Sequence, residues 1–184
     1  MRGVGSAEEL LERMAAAGGG AYFGEPVTVL EHSLQAAWFA QKGGNEPTQV
    51  VAALLHDVGH LLHEAGEDAA EQGQDTRHEE LAEELLREHL PEAVTEPIRL
   101  HVAAKRYLCF ADAGYRARLS EASLLSLGLQ GGPMTAEEAA EFTANRFCGE
   151  AVALRHWDDA AKVPGMAVPE LGTYLPLVAG LWRG

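Results

Sequence analysis

The sequence lacks long apolar runs and is poor in cysteine, and both shortages exclude classes of protein. No apolar stretch approaches the roughly 18 residues that a bilayer-spanning helix needs, and the N-terminal "MRGVGSAEELLERM" has no continuous apolar segment of the signal-peptide type. Cys109 and Cys148 stand alone without CxxC spacing, which disfavours a disulfide or a zinc ribbon. We therefore expect a cytoplasmic protein.

Basic residues are scarce as well. The chain has 14 lysines and arginines against 28 aspartates and glutamates, and its net charge is -14. Such a chain repels nucleic acid phosphates and anionic lipids, so we expect neither nucleic acid nor a membrane as a partner. The sequence gives no prediction of the oligomeric state. Any cation that lies beside a functional site is notable against this acidic background.

Helix signals run along the whole chain. At 184 residues and 47% hydrophobic, the chain fits one domain over residues 1–184 with a sizeable core. Three capping boxes mark helix starts at Ser6–Glu9, Thr28–Glu31 and Thr135–Glu138. Further starts are expected at Thr48, Asp75 and Thr95, and helix ends at Gly18, Gly43, Pro91 and Gly131. No segment combines period-2 alternation with β-branched enrichment, so the sequence predicts an all-α fold.

A polar pair interrupts the apolar stretch "ALLHDVGHLLH", residues 53–63. If residues 48–63 form one helix, His56, Gly59, His60 and His63 lie on one stripe of it, and Asp57 lies about 100° away from His56. A metal ion over the edge between His56 and Asp57 would use both side chains. The alternative is a hydrogen-bonded core histidine beside an aspartate paired with an arginine.

Other donors of the metal-binding type occur on separate predicted helices. They are His32, His78, His101 and Asp158. Helical bundles build metal sites from side chains that project inward from facing helices. Four imidazoles and two carboxylates without a thiolate suit iron or manganese better than structural zinc.

This series of donors resembles the HD-domain superfamily in its dinuclear form, over residues 22–158. The resemblance implies a compact HD-domain helical bundle with the metal site in its core. It implies that Asp57 bridges two metal ions, one of them bound by His32, His56 and Asp158 and the other by His78 and His101. Each metal then keeps open positions for substrate, water or dioxygen, which is typical of a catalytic site.

A second match concerns the chemistry. "AYFGEPVTVLEHSLQ" is similar to the N-terminal motif of the organophosphonate dioxygenases, which belong to the mixed-valent diiron branch of the superfamily. The resemblance implies that Tyr22 occupies an iron position until substrate arrives and that Glu25 contacts the amino end of the substrate. By position, the residues that match those around the phosphonate are His60, Lys105, Ser123 and Arg155.

Helical spacing supports an anionic substrate independently. Lys105 is four residues after His101, and Arg155 is three residues before Asp158, so each cation shares a helix face with a proposed ligand. Arginine offers a bidentate fork to such an anion and lysine a point charge. Pairing with surface carboxylates is the alternative for either cation alone.

The resemblance thus implies an enzyme with two iron ions (Fe²⁺/Fe³⁺) that uses O₂ to cleave the carbon-phosphorus bond of a 1-hydroxy phosphonate. With (R)-2-amino-1-hydroxyethylphosphonate the products are glycine and inorganic phosphate, and Glu25 favours such a cationic substrate. Two alternatives share the ligand set: a metal-dependent HD phosphohydrolase acting on a small phosphate ester or nucleotide, and an HD module that senses a ligand without turnover.

Overall fold

A computed structural model describes residues 3–22, 24–61, 73 and 75–183. Helices account for most of this part of the chain. Their bounds are α1 Ala7–Ala17, α2 Val29–Lys42, α3 Pro47–Leu55, α4 His78–Leu86, α5 Glu92–Ala111, α6 Glu121–Leu129, α7 Ala136–Ala144, α8 Cys148–Ala160 and α9 Leu175–Leu181. Short 3₁₀ helices cover Val58–Leu61, Arg116–Arg118 and Leu171–Tyr174. The prediction of a helical fold is confirmed, and no helix in the described ranges is both long and apolar enough to cross a bilayer.

The long helix α5 lies at the centre of the fold. It packs against α8, α4 and α3, and α2 packs against α3 and α8. Fully buried apolar side chains fill the space between these helices, among them Leu54, Leu55, Leu86, Ile98 and Leu154. Five elements thus converge on one interior, where side chains from each can meet.

Local capping chemistry decides where several helices begin. Ser6 caps α1 by accepting a hydrogen bond from the Glu9 N–H at 3.2 Å. Thr28 and Thr135 form complete capping boxes at α2 and α7. These three predicted starts are confirmed, because each cap satisfies N–H groups within four residues and needs no tertiary contact.

Two predicted helix boundaries are wrong. The helix expected over 48–63 begins at Pro47 and ends at Leu55, and the chain continues into the 3₁₀ helix Val58–Leu61. His56 and His60 therefore do not share a helical stripe, and His63 lies outside the described residues. The start expected at Thr95 falls inside α5, which begins at Glu92 immediately after Pro91. Pro91 supplies the extended backbone of the N-cap, and the helix continues through Pro97.

A short hairpin precedes α2 and was not predicted. Strands β1 Ala21–Tyr22 and β2 Glu25–Thr28 pair antiparallel, with Tyr22 opposite Glu25. Gly24 permits the tight reversal because its φ is 81°, in the left-handed region that glycine adopts at low cost. The strands are too short for a period-2 pattern to show in the sequence. The hairpin presents Tyr22 to the interior of the helical bundle.

Candidate metal centre

The six predicted metal ligands meet in the buried interior. His32 lies on α2, His56 and Asp57 directly follow α3, and the rest come from α4, α5 and α8 as His78, His101 and Asp158. All six side chains are buried. The structure thus brings together donors that are up to 126 positions apart in the sequence, from His32 to Asp158.

Asp57 lies between two pairs of histidines. Its Oδ2 atom is 3.5 Å from His32 Nε2 and 3.3 Å from His56 Nε2. Its Oδ1 atom is 3.3 Å from His78 Nε2 and 3.7 Å from His101 Nε2. One carboxylate oxygen therefore faces each pair, which is the arrangement of a carboxylate shared by two metal ions. Asp158 adds a further oxygen to the first pair, 3.4 Å from His32 Nε2.

Backbone carbonyls fix the orientation of three of these imidazoles. The Nδ1 atoms of His32, His56 and His101 lie 2.8, 2.9 and 2.7 Å from the carbonyl oxygens of Ala161, Ala53 and Ile98, respectively. Because a carbonyl oxygen only accepts, each Nδ1 carries the hydrogen and each Nε2 presents its lone pair to the centre. This is how metal-binding histidines are held in other proteins.

The two Nε2 atoms of His32 and His56 are only 3.1 Å apart, and so are those of His78 and His101. Lone pairs that face each other at this distance repel unless a cation lies between them. A proton can take that place: although burial alone lowers the pKa of His56, the charge and hydrogen bond of Asp57 raise it to about 9. Burial lowers the pKa of His32 to about 4.

The residues fit two metal ions. Each of two groups, His32 with His56 and Asp57, and Asp57 with His78 and His101, has its donor atoms within 4.8 Å of one another. The donors are imidazole nitrogens and carboxylate oxygens, which suit borderline and hard divalent ions. The chemistry and spacing of the donor set therefore support a dinuclear site.

Tyr22 closes one side of the first group. Its hydroxyl donates a hydrogen bond of 2.6 Å to Asp57 Oδ2, and its ring stacks on His32 with centroids 3.9 Å apart. Burial, followed by the negative charge of Asp57, raises the pKa of the Tyr22 hydroxyl well above its usual value. The phenol is thus neutral and occupies the space beside the carboxylate that the first metal would share.

His60 lies beside the second group. Its Nε2 atom is 4.0 Å from Asp57 Oδ1, and its ring stacks on His78 at 3.9 Å between centroids. The 3₁₀ helix that carries it lies directly on α4, because Gly59 has no side chain: a Cβ there would be 1.9 Å from the carbonyl oxygen of His78. This close contact explains both the end of α3 and the placement of His78.

The two predicted cations occupy different surroundings. Arg155 is buried and contacts Asp158 Oδ2 at 2.7 Å, forms an ion pair with Asp159, and donates to the Tyr115 hydroxyl at 3.1 Å. It therefore orients the predicted metal ligand Asp158 directly. Lys105 is buried too, and its Nζ donates to Ser126 Oγ at 2.9 Å. Burial, with the neighbouring charge of Arg155, lowers the pKa of Lys105 to about 7.

Glu25 and Ser123 are brought together by a lysine that the sequence analysis missed. Lys162 Nζ lies 2.8 Å from Glu25 Oε1 and 3.0 Å from Ser123 Oγ. Glu25 also accepts a hydrogen bond from Ser120 Oγ. Lys162 follows Asp158 by four positions, the same spacing as Lys105 after His101, and this spacing was the available signal. Tyr115, which accepts a hydrogen bond from Arg155, lies in a connecting segment, and no spacing in the sequence relates it to a predicted ligand.

Comparisons with known proteins agree with this geometry. The model of the family described as "HD domain" matches residues 29–139. The [1-hydroxy-2-(trimethylamino)ethyl]phosphonate dioxygenase (glycine-betaine-forming) of Leisingera caerulea is 46% identical over 157 residues, which cover 85% of this chain and 80% of that protein. The hydroxymethylphosphonate dioxygenase of Gimesia maris is 49% identical over 157 residues, covering 85% and 78%. An uncharacterised mimivirus protein, L432, is 35% identical over 163 residues, covering 88% and 74%.

Proposed function

Because the chain belongs to the HD-domain family of phosphonate dioxygenases, we propose that it uses iron and O₂ to cleave the carbon-phosphorus bond of a 1-hydroxy phosphonate. The observation that carries this proposal is the position of Asp57, which offers one carboxylate oxygen to each of two histidine pairs. Buried cations of the same chain lie on the helices that supply the ligands.

The reaction balances without an external reductant. A substrate R–CH(OH)–PO₃²⁻ and one O₂ give R–COO⁻, HPO₄²⁻ and one proton, so the substrate itself supplies the four electrons that reduce dioxygen. When bound, two iron ions held by the six ligand residues would supply the redox chemistry and the Lewis acidity. The protein then has to bind the anion, orient it and keep water away.

Lys105 and Arg155 are suited to bind the phosphonate. A buried ammonium with a serine hydroxyl for a partner is poorly compensated, so an arriving phosphonate dianion would stabilise its charged form. Arg155 is held by three contacts, to Asp158, Asp159 and Tyr115, and its guanidinium has five N–H donors, so donors remain for an anion. Its positive charge is therefore fixed in place, and its contribution to binding the anion requires no rearrangement of a surface side chain.

Tyr22 lies beside Oδ2 of the Asp57 carboxylate, and His60 lies beside Oδ1. The Tyr22 phenol, held by the hairpin, occupies the space next to Asp57 Oδ2, and leaving that space requires its 2.6 Å hydrogen bond to this oxygen to break. We propose that the substrate hydroxyl and phosphonate take this space. His60, whose Nε2 atom is 4.0 Å from Oδ1, is placed to contact a phosphonate oxygen on the other side.

The test is the oxygen dependence of phosphate release. Protein loaded with Fe²⁺ is incubated with hydroxymethylphosphonate and with 2-amino-1-hydroxyethylphosphonate, in air and under nitrogen, while O₂ and phosphate are measured. We expect one O₂ consumed per phosphate released, and no release under nitrogen. Release without O₂ would point to hydrolysis and would overturn the proposal.

A pair of histidine variants controls for metal loading. His101→Gln removes a proposed ligand and is expected to abolish both O₂ consumption and the binding of one metal ion. His89→Gln makes the same chemical change at a residue that stacks on Trp182, with centroids 4.7 Å apart, and should retain both properties. Equal activity of the two variants would contradict the assignment of the site.

A further inference from the structure

We propose that the Lys162 ammonium takes the place against Glu25 that a cationic substrate end would need, so that this chain prefers 1-hydroxy phosphonates without a positively charged group. This inference rests on the proposed function and narrows its substrate class. It assigns substrate selection to Lys162, a residue outside the metal ligands.

The contacts of Lys162 satisfy Glu25 from within the chain. Lys162 Nζ approaches Glu25 Oε1 at 2.8 Å, Ser123 Oγ at 3.0 Å and Ser120 Oγ at 3.3 Å. An ammonium group has three donor hydrogens, so these three oxygens match its full hydrogen-bonding capacity. Glu25 is 9% exposed at its side chain and Lys162 is 14% exposed, so solvent screens their ion pair only weakly.

The backbone on both sides of Lys162 is anchored to α2. The carbonyl oxygen of Ala161 accepts the hydrogen bond from His32 Nδ1 at 2.8 Å. Val163 exchanges two hydrogen bonds with the buried side-chain amide of Gln35, at 2.9 and 3.0 Å. Lys162 is therefore held between two fixed residues, which directs its side chain toward Glu25 and makes the ion pair a built feature of the fold.

A second cation at Glu25 would be unfavourable. One carboxylate cannot neutralise both Lys162 and a substrate amine, and two unit charges about 4 Å apart repel strongly wherever the effective dielectric constant is well below that of water. If Lys162 were displaced from Glu25, its unpaired charge would remain close to Lys105 and Arg155. The phosphonate itself requires those two cations. A neutral or absent substituent on the hydroxylated carbon avoids this conflict, since Lys162 then remains paired.

Binding without turnover tests the inference separately from activity. In the absence of O₂, titration calorimetry on the Fe²⁺-loaded protein gives the Kd of hydroxymethylphosphonate and of 2-amino-1-hydroxyethylphosphonate. We expect the wild-type protein to bind the first compound at least about 10-fold more tightly, and Lys162→Gln to shift this ratio by about 10-fold or more toward the amine. Gln removes the positive charge and keeps an N–H donor, on a side chain that is one atom shorter.

Three further variants make the result specific. Lys162→Arg keeps the positive charge and should keep the wild-type preference. Lys42→Gln makes the same chemical change at an exposed lysine and should alter neither affinity. In the double variant Lys162→Gln with Glu25→Gln, the gain in amine binding should disappear, because the freed carboxylate is its cause.

Two outcomes would overturn the inference while the proposed function stands: wild-type protein that binds the amine compound as tightly as hydroxymethylphosphonate, or a Lys162→Gln variant with an unchanged ratio. If Lys162→Gln does not fold, the wild-type ratio alone still decides. Failure of the proposed function has a different signature, which is that neither hydroxy phosphonate binds or releases phosphate.

Discussion

Replacing Gly59 with alanine is expected to detach His78 from the metal centre. A Cβ at position 59 would be 1.9 Å from the carbonyl oxygen of His78, 2.7 Å from its carbonyl carbon and 3.0 Å from the Ala82 nitrogen. The φ of Gly59 is outside the left-handed region, so alanine at this position brings no backbone strain of its own. The effect of the substitution comes entirely from this contact.

The size of the required shift follows from the same distances. Ordinary contact begins near 3.4 Å, so the Gly59 and His78 backbones must separate by about 1.5 Å. All three opposing atoms belong to the backbone of α4 and cannot rotate away, so α4 must move relative to the 3₁₀ helix. Metal-ligand distances tolerate only about 0.2 Å, and overpacking of this kind costs about 1–3 kcal/mol of stability. His78 is therefore expected to lose its metal while the fold survives.

Metal analysis after Fe²⁺ loading and dialysis, together with Tm, tests this reasoning. The Gly59→Ala variant should bind one metal ion per chain instead of two, and the ion that remains should be the one at His32 and His56. Gly149→Ala is the matched control, because nothing lies within 4 Å of a Cβ built at that exposed position on α8. A Gly59→Ala protein with two tightly bound ions and an unchanged Tm would refute the argument.

Four other predictions concern the site. Asp57→Asn removes a negative charge from a carboxylate that serves both histidine pairs, and elemental analysis should find that the variant retains neither metal ion. Tyr22→Phe removes the 2.6 Å hydrogen bond to Asp57, and the loaded centre should oxidise faster in air, followed by electron paramagnetic resonance. Burial lowers the pKa of Lys105 to about 7, so kcat/KM for a phosphonate should fall as pH rises through that value and Lys105 loses its charge. Because the unfolded chain keeps this lysine protonated up to its usual pKa of 10.5, the stability gained by Lys105→Met, measured as Tm, should be largest below pH 7 and shrink as pH approaches 10.5.

The helix boundaries that could be predicted are those set by neighbouring residues. Ser6, Thr28 and Thr135 cap their helices through contacts three residues away, so the sequence alone contains the whole interaction. The end of α3 could not be predicted, because the close contact of Gly59 with His78 joins segments that are distant in sequence. The apolar residues around "HDVG" are equally compatible with a helix that continues past Leu55.

The six candidate metal ligands could be selected from the sequence because histidine and aspartate donors occur on five predicted helices. Each of the six also had its place in a family motif, and the structure puts them together. Lys162 could not be predicted in the same way: its partner Glu25 is 137 positions away, and a lysine in an acidic chain has many possible partners. Only the folded arrangement selects one.

The predicted metal ligand His32 and the proposed selector of substrate charge, Lys162, share a single structural support. His32 Nδ1 holds the Ala161 carbonyl, and three residues later on α2 the amide of Gln35 holds Val163. The segment between these contacts carries Lys162, and the helix that leads into it carries Arg155 and Asp158. A change in how α2 meets the end of α8 therefore alters His32 and Lys162 together. Under the proposed function, a substitution at Lys162 or Glu25 that leaves these backbone contacts intact is therefore expected to change the substrate charge that the protein accepts without moving His32.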